Sequence, residues 1–346
     1  MARLPTIKDV ASAAGVHFTT VSMALRGDPR LRPETRDRIF EAVARVGYRR
    51  NPVSESLSQR RSSGNAVAIA PRIAYLANRS PEEGMLKFAH YRLMIHGARE
   101  QAEAFGYGFE ALFVDSGYHD SQSLYRYLKE NAIKGVIIGA FEPTRRTLEL
   151  PWEEFCVVKI DSRHMSPAAT FVSNDQMQYV RLAFQKLRAL SYRRIGLAIG
   201  VNDELGTGGL HTCGLLLEQS SIDRDQQVEP LFFPPEASDS DVAQMLGSWI
   251  KKGSVDAVIS NSMSIRRLLG SSGARCPEDV ACASVCMSQK TPSLAGVVAN
   301  LDMIGRQVTG SLIALLRAEK HGIPESPTST YVQGNWHDAT SAPRRT

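Results

Sequence analysis

The stretch TIKDVASAAGVHFTTVSMALRGDPRLRPETRDRIFEAVARVGYRRNP, Thr6 to Pro52, decides the reading of this chain. Thr6 is placed to cap a helix, with Asp9 three residues on. Ile7, Val10, Ala11 and Ala14 then recur at helical spacing on one face, and Gly15 stops the pattern. A second short helix follows from about Phe18, with Val21, Ala24 and Leu25 inward, and is broken at Gly27-Asp28-Pro29. Pro33 suits the first position of a third helix, and Glu34 suits the positive end of its dipole. Ile39, Val43 and Val46 form that helix's stripe, and Gly47 ends it. Three small helices with a tight turn between the first two describe a helix-turn-helix headpiece.

Charge points the same way. Residues 1–62 carry eleven Arg and one Lys against six acidic residues, a net +6, while the whole chain of 346 residues carries only +5. The entire positive excess lies in the first sixth of the chain. A basic block of that kind faces a polyanion, and phosphate contacts dominate nucleic-acid affinity. Thr19, Thr20, Ser22 and Thr35 add short hydroxyl donors of the kind that reach phosphates.

Residues 49–65, RRNPVSESLSQRRSSGN, are polar, basic and Ser-rich, with only Val53 and Leu57 apolar. They read as a linker, or as a helix that forms on binding. From Arg72 onward the pattern alternates strand and helix. Strands are expected at 72–77, 109–114, 135–140, 156–160, 194–199, 255–260 and 280–285, with helices at 91–105, 121–131, 177–190 and 240–251. That alternation implies parallel sheets covered by helices, and about nine strands suit two sheets better than one.

Other classes find little support. The longest apolar runs fall far short of a membrane span. The opening residues MARLPTIKDV lack a secretory core, so a cytoplasmic protein is expected and a periplasmic solute receptor is set aside. No G-x-G-x-x-G, Walker loop, H-E-x-x-H or G-x-S-x-G occurs, so no enzyme is expected and no cofactor. The five cysteines contain no C-x-x-C pair, so they read as buried free thiols, and no metal is expected.

The pattern T-I-x-D-V-A-x-x-A-G-V-x-x-x-T-V-S, followed by T-R-x-x-I and G-Y-x-x-N, closely resembles the headpiece of the lactose-repressor (LacI/GalR) family. The pieces HGAREQAEAFGY, KGVIIGA, LSYRRIGLAIG, SVDAVISN, CPEDVACASV and NLDMIGRQVTGSLIALL extend the similarity through the core. The resemblance implies an all-α headpiece at 1–50, a hinge at 51–65 and a core of two parallel-sheet subdomains of periplasmic-binding-protein type. It places 66–162 plus 293–322 in one subdomain and 163–292 plus 323–346 in the other. It further implies a homodimer, a pseudo-palindromic duplex operator as partner, repressor behaviour of the family kind, and an effector cleft between the subdomains.

Carried over position by position, the resemblance assigns DNA contacts to Thr6, Phe18, Thr19, Thr20, Ser22, Met23, Arg26, Thr35, Asn51 and Leu57. Met23 stands where the family commonly has Arg, which pairs with guanine; Met offers only apolar contact. His17 replaces a usual Ser at the helix start. Leu57 matches the leucine that the family's hinge helix wedges into the minor groove, while Ser54 and Glu55 depart from its usual Ala and Arg.

In the cleft, the resemblance points to Asn78, Arg79, Asp161, Arg163, His211, Asn261 and Cys286, with Asp175 either there or structural. His211, Ser262, Cys286 and Met287 stand where stronger sugar-binding groups are usual. A ligand other than a typical neutral sugar is therefore expected: one with fewer hydroxyls, or an acidic one using Arg163 and His211. A cleft that no longer senses any small molecule is the alternative.

Overall fold

The computed structural model describes residues 7–25, 31–46, 71–78, 88–114, 120–139, 141–142, 145–161 and 163–345. Thr6, Arg26, Asn51, Leu57, Arg79 and the whole 51–65 hinge lie outside the described residues, and of Ser22 only the backbone is described. The chain divides into two compact units, Met1–Ala70 and Pro71–Thr346.

The first unit holds α1 (Ile7–Ala14), α2 (Phe18–Leu25) and α3 (Pro33–Val46). Val10, Ala11, Ala14, Val21, Ala24, Ile39 and Ala42 are buried together as its core. Gly15 adopts φ +62°, and Val16 N–H donates back to Ala11 O at 3.0 Å, which closes α1 and turns the chain sharply toward α2. His17 opens α2: its ring Nδ1 lies 2.9 Å from Thr19 Oγ1 and accepts the Thr19 N–H at 3.5 Å, so it fills the cap position where a shorter side chain was expected. Arg45 donates to Ala13 O at 2.6 Å and ties α3 to α1.

The second unit contains two six-stranded sheets. Its strands are β1 (Arg72–Asn78), β2 (Gly108–Val114), β3 (Gly135–Ile138), β4 (Cys156–Ile160), β5 (Phe171–Asn174), β6 (Ile195–Gly200), β7 (Leu231–Phe233), β8 (Ala257–Ser260), β9 (Ala281–Met287), β10 (Ala295–Val298), β11 (Ser329–Val332) and β12 (Asn335–His337). Its helices are α4 (Ala89–Ala104), α5 (Ser121–Glu130), α6 (Gln176–Ala189), α7 (Val201–Thr207), α8 (Leu210–Gln219), α9 (Asp239–Gly253), α10 (Ile265–Ser271) and α11 (Leu301–Arg317). The first sheet runs β11-β5-β4-β3-β1-β2, all parallel. The second runs β12-β10-β9-β8-β6-β7, parallel except for β12, which is antiparallel to β10.

Burial explains the unbroken apolar runs. Residues 73–78 and 135–138 are all buried, as parallel strands sandwiched between helices require. On one face of the first sheet, α4 and α11 pack on each other, α4 on β2 and α11 on β3 to β5; on the other, Leu124 and Leu128 of α5 share a core with Val136, Ile138 and Val157. The second sheet is covered by α6 and α8 on one face and by α9 and α10 on the other. This is the two-sheet core of periplasmic-binding-protein type.

The strand assignment differs from the subdomain boundaries that the resemblance implies. Phe171–Asn174 and Ser329–Val332 belong to the first sheet, and Ala295–Val298 to the second. Each is a four-residue strand lying beside a crossing point, and nothing in composition marks which sheet so short a strand will join. The chain passes to the second sheet only after Asn174, where Asp175 caps α6 by accepting the Gln178 N–H at 3.0 Å. Asp175 is therefore structural.

Candidate functional site: a helix-turn-helix face and an intersheet cleft

Alternation on α2 separates a packed side from an open one. Val21 and Ala24 are buried, whereas Phe18 is 43% exposed, Thr19 is exposed, and Thr20 and Met23 are half-buried. Met23 takes no part in the headpiece core. The exposed Phe18 ring lies against His17, centroids 4.3 Å apart and planes tilted by 43°. Thr35 is half-buried in the first turn of α3. The open face thus carries one aromatic ring, hydroxyls and a thioether, the mixture that reads base edges and phosphates.

In the second unit a cavity of about 500 Å³ opens between the two sheets. Asp161 follows β4, Asn174 ends β5, Asn202 and Asp203 follow β6, Asn261 and Ser262 follow β8, and Cys286 lies near the end of β9. All sit at the C-terminal ends of parallel strands, where open α/β sheets gather ligand-binding loops.

Asp161 is held firmly. It adopts φ +60°, tolerable for Asp, and its carboxylate accepts from Ser173 Oγ at 2.5 Å and from Gln176 Nε2 at 3.4 Å. Across the cleft, His211 is buried with Nδ1 3.0 Å from Glu204 Oε2, and Glu204 Oε1 accepts the Thr212 N–H at 2.9 Å. Burial opposes ionisation of Glu204, but the hydrogen bonds from His211 and Thr212 outweigh it and hold the carboxyl below its ordinary range.

The two cleft carboxylates act on the same neighbours. Burial lowers the His90 pKa, with Asp161 and Asp203 pulling the other way. Burial raises Tyr91 and Tyr179, and both carboxylates add to the rise at Tyr91. The Cys286 thiol is pushed up to about 12 by burial, with Asp161 and Asp203 contributing. It is neutral and unreactive at ordinary pH.

Of the residues expected in the cleft, Asp161, His211, Asn261 and Cys286 line the cavity. Asn78 does not: it is buried beneath, where its Oδ1 accepts the Glu142 N–H at 3.2 Å. Nor does Arg163, whose guanidinium donates to Tyr331 Oη at 3.0 Å and rests over the Phe171 ring. Arg163 thus rests on Tyr331 and Phe171, outside the cavity wall. Sequence reasoning missed Phe88, His90, Tyr91, Gln176, Tyr179 and Asp203 on the wall. Of these, Asp203 carried a signal, since it lies in the first turn after the end of β6.

The thiols also differ from expectation. Cys156 and Cys282 are buried, Cys276 and Cys286 are half-buried, and Cys213 is exposed. On α4 and α11, His96, Glu100 and Asp302 gather within metal-ligating reach of one another, but Arg306 pairs with both carboxylates and satisfies them. Among the described residues, no helix is long and apolar enough to cross a membrane.

Comparison with known proteins agrees with this geometry. The family model described as "Bacterial regulatory proteins, lacI family" matches residues 6–51, the three-helix unit. An uncharacterised HTH-type transcriptional regulator in the aml 5′ region of Streptomyces limosus is 30% identical over 205 residues, 57% of this chain and 53% of that one. That match spans about half of the relative's length. The HTH-type transcriptional regulator CelR of Thermobifida fusca is 24% identical over 331 residues, 92% of this chain and 93% of that one. A solved structure, a transcriptional regulator CelR–cellobiose complex, superposes with a TM-score of 0.60 at 21% identity, covering 97% of this chain and 99% of that one, and so shares the fold. Residues 6–51 are thus a helix-turn-helix unit of the lacI family of bacterial regulatory proteins, and a two-sheet core follows it in the chain.

Proposed function

We propose that this regulator acts as a dimeric repressor on a pseudo-palindromic operator, with DNA affinity set by a small molecule in the intersheet cleft. The observation that carries the reading is the match of residues 6–51 to the family's DNA-binding unit, together with the exposed Phe18 and Thr19 on α2. Two copies related by a two-fold axis read two like half-sites. Phe18, Thr19 and Met23 face the bases. Thr6, Thr20, Ser22, Arg26, Thr35 and Asn51 serve the phosphates, and Leu57 wedges the minor groove.

For the cleft we propose a compact neutral or cationic ligand with an apolar or aromatic face, in place of a typical neutral sugar. Among the described residues the wall holds the carboxylates Asp161 and Asp203 but neither Arg nor Lys. Phe88, Tyr91, Phe141, Tyr179, Met263, Val285 and Cys286 make much of it apolar or weakly polar. His211 is already engaged by Glu204. A hydroxyl buried without a partner costs ~1–3 kcal/mol, so a fully hydroxylated ring fits this wall poorly.

Selection of random duplexes by the full chain should return a two-fold symmetric consensus. Affinity for it should fall steeply with salt, and removing residues 1–62 should abolish it. Retained binding without those residues defeats the DNA assignment. Calorimetry against sugars, nucleobases and amines should favour the last two classes; tight binding of an unmodified hexose overturns the ligand class alone.

A further inference from the structure

The segment between α10 and β9 brings two thiols together. Cys276 Sγ lies 3.5 Å from Cys282 Sγ, and of the five cysteines, all described, these are the two whose sulfurs touch. Cys282 is fully buried on β9, while Cys276 is half-buried. Cys276 lines a surface recess of about 350 Å³ with Arg266, Arg275 and Glu278. Arg266 is fixed beside it, donating to Ser293 O at 2.5 Å, to Thr340 Oγ1 at 3.0 Å and to Cys276 O at 3.4 Å. The Ser341 carbonyl lies 3.7 Å from Cys276 Sγ and accepts the Cys282 N–H at 3.0 Å.

We propose that Cys276 and Cys282 are an oxidisable thiol pair, which a hydroperoxide entering from the Arg266 recess converts to an intrachain disulfide. One sulfur is reachable from solvent and flanked by a guanidinium; the other waits behind it at contact distance. A disulfide requires an S–S separation of about 2.0 Å, so roughly 1.5 Å of approach closes the bond. The division of labour follows the electrostatics. The hydrogen bond from Cys282 lowers the Cys276 pKa against the opposing effect of burial, and Arg266 assists. Cys282 is held protonated. The thiolate is the attacking form, so Cys276 reacts first.

The chemistry balances. The Cys276 thiolate attacks the distal oxygen of the hydroperoxide; an S–O bond forms, the O–O bond breaks, and the departing alkoxide or hydroxide takes a proton. Cys282 then loses its proton and attacks the sulfenic sulfur; the S–S bond forms, the S–O bond breaks, and water leaves. Two thiols give up two electrons and the peroxide accepts them.

The test uses the full chain, reduced, exposed to hydrogen peroxide, and only then unfolded in guanidinium chloride and alkylated with N-ethylmaleimide, so that every remaining thiol is open to the reagent. Cleavage after Arg275 and Lys290 releases one peptide bearing Cys276, Cys282 and Cys286. Before oxidation it should carry an alkyl group on all three. After oxidation it should be two hydrogens lighter and alkylated only at Cys286, and dithiothreitol should reverse the change. Cys286→Ser should preserve the loss of two hydrogens. Cys282→Ser should stop the reaction at a Cys276 sulfenic acid that dimedone captures, and Cys276→Ser should abolish both products. Full alkylation of Cys276 and Cys282 after peroxide overturns the proposal, as does a disulfide that survives Cys276→Ser. Circular dichroism on each variant confirms that it is folded.

Discussion

His211 and Glu204 form a buried pair on the second-sheet side of the cleft, Nδ1 to Oε2 at 3.0 Å, with the second carboxylate oxygen satisfied by the Thr212 N–H. The histidine that was read as a ligand contact is thus first a partner for an acid. His211→Ala strands one buried carboxylate oxygen and should cost ~1–3 kcal/mol of core stability. The sign with pH follows from the depressed Glu204 pKa. A carboxyl whose folded pKa lies below its unfolded value stabilises above the unfolded value, near ~4.3, and loses that contribution as pH falls through the folded one. The gap between wild type and His211→Ala in urea midpoints should therefore narrow on acidification below that region. A gap that is constant with pH would assign the effect to packing alone.

On α2, Met23 is half-buried and outside the headpiece core, while its neighbours Val21 and Ala24 are buried. Met23→Arg should therefore cost little stability, within about 0.5 kcal/mol for a surface change. It should alter base preference, because a guanidinium pairs with guanine O6 and N7 where a thioether cannot. Duplex selection with the variant should return a changed consensus in each half-site. The same consensus with weaker binding would place Met23 away from the bases.

The α4–α11 crossing is close enough to exclude a methyl group. A Cβ at Gly97 would lie 2.1 Å from Asp302 O, and one at Gly305 would lie 1.9 Å from Met94 O. Both neighbours are backbone and cannot rotate away. Gly97→Ala should lower core stability by roughly 1–3 kcal/mol, although alanine is the better helix former, because overpacking forces the helices apart. A stabilised variant would mean that the crossing is looser than drawn.

These cases show where a sequence is readable. The headpiece was legible because three short amphipathic stripes, the first closed by Gly15, leave few ways to bury Val10, Val21 and Ile39 together. The central strands were legible because two-sided burial writes continuous apolar runs such as 73–77. The four-residue strands at 171–174 and 295–298 were not placed, since their sheet is decided by distant partners. The cleft was half legible. Asp161 and Asn261 follow strand ends, but Phe88, His90 and Tyr91 enter at the start of α4, and no local pattern tells an aromatic residue in a cavity from one in a core. Arg163, read from sequence as a cleft residue, instead donates to Tyr331 beside the cavity, a partner 168 positions away that no local pattern announces.

Lys159 is the least expected feature of the core and gives the sharpest pH test. It is 3% exposed on β4, and its Nζ donates to the carbonyls of Met165 at 2.5 Å, Pro167 at 3.3 Å and Arg163 at 3.4 Å. Burial, with help from the Arg163 charge, lowers its pKa to about 8. A free lysine titrates near ~10.4, so between the two values the unfolded chain binds more protons and stability must rise with pH. Below about 8 both states are protonated and the full cost of burying the charge is present. Two pKa units correspond to ~3 kcal/mol at most. Lys159→Met removes the titration but also strips three carbonyls of their donor, a penalty that does not depend on pH. Wild type should therefore gain stability relative to Lys159→Met by ~1–3 kcal/mol as pH climbs from the folded to the unfolded value. Urea unfolding followed by tryptophan fluorescence reads this directly, because Trp152, Trp249 and Trp336 all lie in the second unit. Parallel stability curves for the two proteins would show that Lys159 keeps its ordinary proton affinity inside the fold, and that its three carbonyl contacts offset the whole cost of burial.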